Sequence, residues 1–167
     1  MTLLTALAAG VIILLSVGWW LSWLATRLDR AHGRVERSWA ALDVALVRRA
    51  QRAADVARES GVDPATTLLV CDAAAVALEI DLAHEEREQA ESALSHVLGL
   101  VALSGLEQEQ DRAVLARRLY NDAVSTARAL RDRPIVRTFR LAGHAVEPKP
   151  FEMADDQQLV WSGGQAW

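Results

Sequence analysis

Apolar and polar positions divide the chain into two parts with different patterns. From residue 2 to residue 26 there is no charged side chain, and an apolar run of this length is typical of a helix that crosses a bilayer. From residue 28 to residue 56 apolar residues recur at intervals of three and four, which is the pattern of an amphipathic helix. No helix breaker separates the two parts, so we predict one continuous helix that ends near residue 60.

Two breaks in the pattern predict two further helices. The tetrad Gly61-Val62-Asp63-Pro64 combines a C-capping glycine, an N-capping aspartate and a proline suited to the first helical position. We therefore expect a second helix from residue 64 towards residue 100. Ser104-Gly105 marks the next turn, and a third helix is expected from about residue 106 to 132, where Arg133-Pro134 ends it.

These elements predict an all-α fold, in which an N-terminal transmembrane helix continues into an antiparallel bundle of three long helices. On the third helix, the three- and four-residue spacing predicts that Leu119, Ala123 and Leu130 face the core. The predicted organisation is a transmembrane anchor over 1–26, a cytoplasmic helical bundle over 27–134, an irregular apolar segment lying on the bundle or the membrane over 135–153, and a flexible tail over 154–167.

The residues around position 20 predict how the first helix meets the membrane. Indole rings settle at the boundary between hydrocarbon and water, and positive charge follows a span on its cytoplasmic side. Both signals are present in Trp19, Trp20, Trp23, Arg27 and Arg30. No Lys or Arg precedes the apolar run, so a cleaved signal peptide fits poorly. We expect a single-pass membrane protein with its N-terminus outside and its C-terminal domain in the cytoplasm.

Composition narrows the range of partners. The formal net charge is −4, which argues against nucleic acid as a partner because phosphate binding needs a basic surface. Acidic residues concentrate between 61 and 112, whereas arginine prevails on either side, as expected for helices with complementary flanks. The single cysteine, Cys71, cannot form an intramolecular disulfide, and its apolar neighbours indicate a buried small side chain.

Catalytic patterns are weak. The segment His84-Glu85-Glu86-Arg87-Glu88 resembles a zinc-protease helix but lacks the second histidine. Asp81 and His84 have the spacing of di-iron bundles, without a second such pair. Ser92 and His96 lack an acid that would orient them. We expect a solvated charged face here and no catalytic residue, cofactor or metal.

Two polar blocks are stronger candidates for binding a partner protein. The first block lies within the third helix, and its residues either hydrogen-bond to neighbouring helices or present a binding face. The second block is an extended strip, which either docks a partner or forms a lid pinned by its phenylalanine. Their residues are Arg117, Arg118, Tyr120, Asn121 and Asp122 in the first block, and Pro148, Lys149, Pro150 and Phe151 in the second.

Together with the segment 34–50 and its tryptophan, these two blocks resemble the LemA family of bacterial membrane-anchored helical proteins. The block at 117–124 is similar to that family's arginine-rich Tyr-Asn-x-Ala-Val stretch, and 148–151 resembles its terminal Lys-Pro-Lys-Pro-Phe element. The family's Ile-Pro-Asn-Leu segment is replaced by 54–59, so the chain looks like a divergent, compact member. The resemblance implies an antiparallel helical bundle on one membrane span and no established catalytic activity. It also implies a link to a membrane zinc metalloprotease, because members of the family are often encoded beside one.

The combined expectation is a non-enzymatic, membrane-anchored scaffold or adaptor. Its partner is expected to be a membrane protein, such as a membrane protease, or a further copy of the chain. Small residues on the span, Gly10 and Gly18, leave surface for helix contacts. Two alternatives remain open: a metal-assisted hydrolase around His84, and a membrane-surface sensor whose 135–153 segment touches lipid.

Overall fold

The computed structural model of the protein describes residues 2–79, 84–101, 103–138 and 147–154. These residues form five α-helices and no strand, which confirms the all-α class. In chain order the helices are α1 (Thr2–Glu59), α2 (Pro64–Ala77), α3 (His84–Leu100), α4 (Glu107–Arg131) and α5 (Pro134–Thr138).

The long first helix is confirmed almost to the residue. α1 runs without interruption from Thr2 to Glu59, and its apolar N-terminal part is long and apolar enough to cross a membrane. The large side chains of this part, from Leu3 to Trp23, are mostly exposed. An apolar surface of this size is costly in water, so its exposure is a physical reason to expect a lipid or protein environment around it.

The turn between α1 and α2 is formed as the sequence predicts. Gly61 has a φ of 67°, a left-handed conformation that favours glycine. The carboxylate of Asp63 accepts hydrogen bonds from the backbone N–H groups of Ala65 and Thr66, and Pro64 occupies the first turn. The hydrogen bond from the Thr66 hydroxyl lowers the pKa of Asp63.

The prediction of one helix from 64 to about 100 is wrong. α2 ends at Ala77, its last carbonyls accept the backbone N–H of Leu78, and a new helix begins at His84. No glycine or proline marks this break. The start of α3 is instead indicated by Glu85 and Glu86 in its first turn, because negative charge stabilises a helix N-terminus. Residues 80–83 lie outside the described residues.

The third predicted helix is confirmed as α4, with ends one residue inside those expected. Pro134 ends α4 and then opens the short helix α5, so the start of the predicted irregular segment is helical. Proline suits the first turn because that position needs no N–H donor. The rest of the predicted segment is described only from residue 147 to 153, and all but the first residue of the predicted tail lies outside the described residues.

The chain divides into two compact units, one formed by residues 1–36 with 123–148 and the other by residues 37–122 with 149–167. In the first unit, a small core joins α1 to α4 and α5 through Leu24, Leu28, Leu130 and Val136. Leu130 and Ala123 are both buried, as predicted.

The second unit has a core rich in alanine. Small side chains allow helix backbones to approach closely, and three helices meet here through Ala50, Ala53, Ala57, Val70, Ala74, Ala77, Ala90, Leu94 and Leu98. Leu119 does not join the core, because its side chain is 58% exposed. The buried stripe of α4 passes one residue further on, through Tyr120, and this shift places an aromatic hydroxyl where the sequence predicted an aliphatic side chain.

Candidate functional site

An aromatic cluster in the second unit surrounds one residue from near the C-terminus. Phe151 is fully buried, with its ring centroid 5.7 Å from that of Trp39 and 5.5 Å from that of His84. Trp39 also lies 5.3 Å from the ring of Tyr120. Edge-to-face contacts at such distances are favourable beyond the area they bury. Phe151 thus fixes residues 149–154, which we call the strap, against α1, α3 and α4.

Asn121 binds the backbone of Phe151 on both sides. Its Oδ1 accepts a hydrogen bond from the N–H of Phe151 at 2.8 Å, and its Nδ2 donates to the carbonyl of Phe151 at 3.0 Å. This paired geometry resembles the exchange of bonds between two strands of a sheet. A side-chain amide carries both a donor and an acceptor, so asparagine suits this position and aspartate or leucine does not.

Side chains of α3 bind the strap at regular intervals. His84 Nε2 lies 3.1 Å from the carbonyl of Pro150, Glu88 accepts from the N–H of Glu152 at 2.7 Å, and Ser92 accepts from the N–H of Ala154 at 3.2 Å. Four helical residues rise about 6 Å, and two residues of an extended chain advance about 6.6 Å. Every second strap residue therefore meets every fourth residue of α3.

The two polar blocks predicted from the sequence are thus largely brought together. The Tyr120 hydroxyl donates to the carbonyl of Lys149 at 2.8 Å, and the ammonium of Lys149 pairs with exposed Glu85 at 3.1 Å. Asn121, Pro150 and Phe151 make the contacts above. A role of these residues in binding a partner protein stays a prediction, and the intramolecular alternative, a strip pinned by its phenylalanine, matches the observed contacts.

The remaining residues of the two blocks make no described hydrogen bond to the strap. Arg117 lines a surface pocket of about 470 Å³ together with Ser92, Asn121 and the end of the strap. Arg118 and Asp122 are exposed. In the first unit, Pro148 accepts a hydrogen bond from Arg128 Nε at 2.8 Å.

The histidine considered for catalysis is part of the aromatic cluster. The His84 ring packs beside Trp39 and Phe151, and hydrogen bonding of its Nε2 to the Pro150 carbonyl places the proton on that nitrogen. Its proposed partner Asp81 lies outside the described residues. Among the residues that the structure describes, no group of three or more His, Cys, Asp or Glu side chains could hold a metal ion. Ser92 binds the strap, and His96 is exposed.

A buried ion pair links α1 to α3 and was missed in the sequence. Arg49 Nη2 lies 2.7 Å from Glu91 Oε2, and both side chains are almost fully buried. Arg49 also donates to Ser95, while Arg87 contacts Glu91 and pairs with Asp43 at 3.0 Å. Desolvation raises the pKa of Glu91, although the arginines oppose this shift. The signal in the sequence is that Arg49 lies within the apolar stripe of α1, between Leu46 and Ala53.

The residues predicted to lie at the membrane boundary are on the surface of α1. Trp19, Trp20 and Trp23 are exposed, as are Arg27 and Arg30. The guanidinium of Arg27 lies over the ring of Trp23, 5.6 Å from its centroid, a cation–π geometry.

Comparison with known proteins adds no relative. The chain matches no protein-family model, no curated protein and no solved structure. Its function is therefore inferred from its own residues.

Proposed function

We propose that the chain is a non-enzymatic, membrane-anchored helical scaffold or adaptor that binds a membrane protein or further copies of itself. The observation that carries this proposal is apolar surface in two separate places. One is the N-terminal part of α1. The other is a face of α2, a helix that is too short to cross a bilayer.

The exposed face of α2 is defined by its helical spacing. Leu68, Leu69 and Val76 are 71%, 48% and 46% exposed, and Ala65 and Ala75 are exposed beside them. At 100° per residue these positions fall within about a third of the helix circumference. Asp72 is the one charged residue among them. A contiguous apolar face of this kind marks a protein or membrane contact, and a scaffold requires such a contact.

The membrane orientation and the family are two further parts of the proposal. We propose that α1 crosses a bacterial cell membrane with the N-terminus outside, because arginines directly follow its apolar part. We also propose that the chain is a divergent, compact member of the LemA family. Support comes from the contacts of Tyr120 and Asn121 with the strap, which join two of the blocks that carry the resemblance into one structural element.

The contacts of His84 support the scaffold proposal, because they use the imidazole to hold part of the fold together. In His84, Nε2 is occupied by the Pro150 carbonyl and lies 3.4 Å from Glu88, and aromatic rings pack against the imidazole. This histidine therefore holds the strap in place.

Replacing two residues of the α2 face should remove the partner. In the variant Leu68→Glu/Val76→Glu, each burial lost weakens binding by about 1.5–3 kcal/mol, so affinity should fall at least about a hundredfold. The measurement is in-cell crosslinking, purification in mild detergent and mass spectrometry of the crosslinked species. Leu115→Glu is the matched control, because Leu115 is a 57% exposed leucine on a different helix.

The same crosslinked species at the same yield in the double variant would contradict the role of this face. Loss of the species in the Leu115→Glu control as well would also contradict it, because the effect would then be general to added surface charge. A species that contains only copies of this chain would identify a self-assembling scaffold, and a second membrane protein would identify an adaptor.

A further inference from the structure

A second pocket lies in the first unit, at the end of the apolar part of α1. It has a volume of about 290 Å³, close to the lower limit of common ligand sites. Arg27, Arg30 and Arg34 form one wall, and the other wall comes from α4 through Ala123, Thr126 and Leu130. The three arginines are spaced by three and four residues, so they lie on one face of α1.

The pocket carries positive charge from its three arginines. No Asp or Glu lines it. Within the described parts of the chain, Arg27, Arg30 and Arg34 form no ion pair, and all three are exposed. Elsewhere the arginines of the protein commonly meet acids, as in the pairs Arg87–Asp43 and Arg128–Glu147. Three guanidinium groups without a carboxylate partner in the described parts of the chain surround one pocket, so they attract an anion, and they match phosphate oxygens well.

The surroundings of the pocket favour a lipid over a soluble anion. The arginines begin one residue after the uncharged run of residues 2–26 ends, and Trp23, which contacts Arg27, is a residue type that settles at the headgroup level. Ala123 and Leu130 give the α4 wall an apolar surface that suits the glycerol and upper acyl part of a lipid. The Thr126 hydroxyl is the polar group on that wall.

We propose that this pocket binds the phosphate headgroup of an anionic membrane lipid, with Arg27, Arg30 and Arg34 as its ligands. The proposal rests on the membrane anchoring proposed above. Basic pockets beside membrane-spanning helices are suited to such headgroups because the leaflet itself supplies them at high local concentration. Binding would fix the depth and rotation of α1 at the membrane surface.

The test uses the full chain purified in mild detergent and native mass spectrometry with added phosphatidylglycerol or phosphatidylcholine. The wild-type chain is expected to bind about one phosphatidylglycerol and to prefer it over phosphatidylcholine. Arg30→Gln/Arg34→Gln should weaken this binding about 30-fold, since each arginine near a membrane surface is worth about fivefold in affinity. The control Arg48→Gln/Arg133→Gln removes the same charge from exposed arginines outside the pocket and should change binding less than about twofold.

Three results would overturn the lipid site. Equal losses in the two double variants would show a diffuse effect of net charge. Equal binding of the two lipids would show that the arginines do not select an anion. Displacement of the lipid by inorganic phosphate at the same concentration would identify a site for a soluble anion. Failure of the anchoring proposal can be distinguished from failure of the lipid site. If α1 does not anchor the chain, the chain stays soluble and monodisperse without any detergent.

Discussion

Phe151→Ala should lower the free energy of unfolding of the second unit by about 3–5 kcal/mol, the usual cost of removing a buried phenylalanine. The ring is fully buried and contacts Trp39 and His84, so its loss leaves a cavity at the centre of the aromatic cluster. It also removes the anchor that offsets the conformational entropy of ordering the strap. The measurement is urea unfolding of the full chain in mild detergent, followed by tryptophan fluorescence.

A second readout separates loss of the strap from general instability. Limited proteolysis should cut the Phe151→Ala variant within residues 149–154 under native conditions, before α1–α4 are cut, while the wild-type strap resists because its backbone is bonded to Asn121, Glu88 and Ser92. Val44→Ala is the matched control, since Val44 is apolar but exposed. Stability within about 1 kcal/mol of wild type, with a strap that stays resistant, would show that Phe151 does not hold this segment.

Arg49→Met should destabilise the same unit by about 3–5 kcal/mol, because breaking a buried ion pair leaves the carboxylate of Glu91 without its closest partner. The change also removes the donor to Ser95. Replacing both partners should behave differently. In Arg49→Met/Glu91→Leu both charges of the pair are removed together, and the buried Arg87 keeps its pair with Asp43, so stability should return to within about 1–2 kcal/mol of wild type.

A double-mutant cycle of urea unfolding free energies measures this coupling. The control is Arg58→Met, which breaks the exposed pair with Asp55 and should cost less than about 1 kcal/mol. If the double variant is as unstable as the sum of the two single variants, Arg49 and Glu91 act independently and the buried pair is not the structural link between α1 and α3.

Features that local chemistry determines were predictable from the sequence. α1 follows from an unbroken apolar and then amphipathic pattern, and the turn at 61–64 follows from residues whose backbone preferences and capping groups lie within four positions of each other. The end of α2 was not predictable in this way. It lacks glycine and proline, and the helix-favouring residues there extend the predicted element past its observed end.

The strap was predictable as an extended strip with a phenylalanine that could pin it, but its polar partners were not predictable. Glu88 and Glu152 are 64 positions apart, and nothing in either local sequence specifies that pairing. The same holds for Arg49 and Glu91, which belong to different helices. Whether a polar residue of a helix is buried and paired depends on how the neighbouring helix packs against it, and the local sequence does not specify that packing. Leu119 and Tyr120 illustrate this point, because they are neighbours about 100° apart on α4 and only Tyr120 is buried.

The central claim is that α1 anchors this bundle in a membrane with its C-terminal side in the cytoplasm. The most direct test is a green fluorescent protein fused after Trp167 and expressed in a bacterium. This reporter fluoresces only when it folds in the cytoplasm. We predict that fluorescence sediments with the membranes, resists a high-salt wash and is released by detergent. Fluorescence in the soluble fraction would contradict anchoring, and a membrane-bound fusion without fluorescence would contradict the orientation.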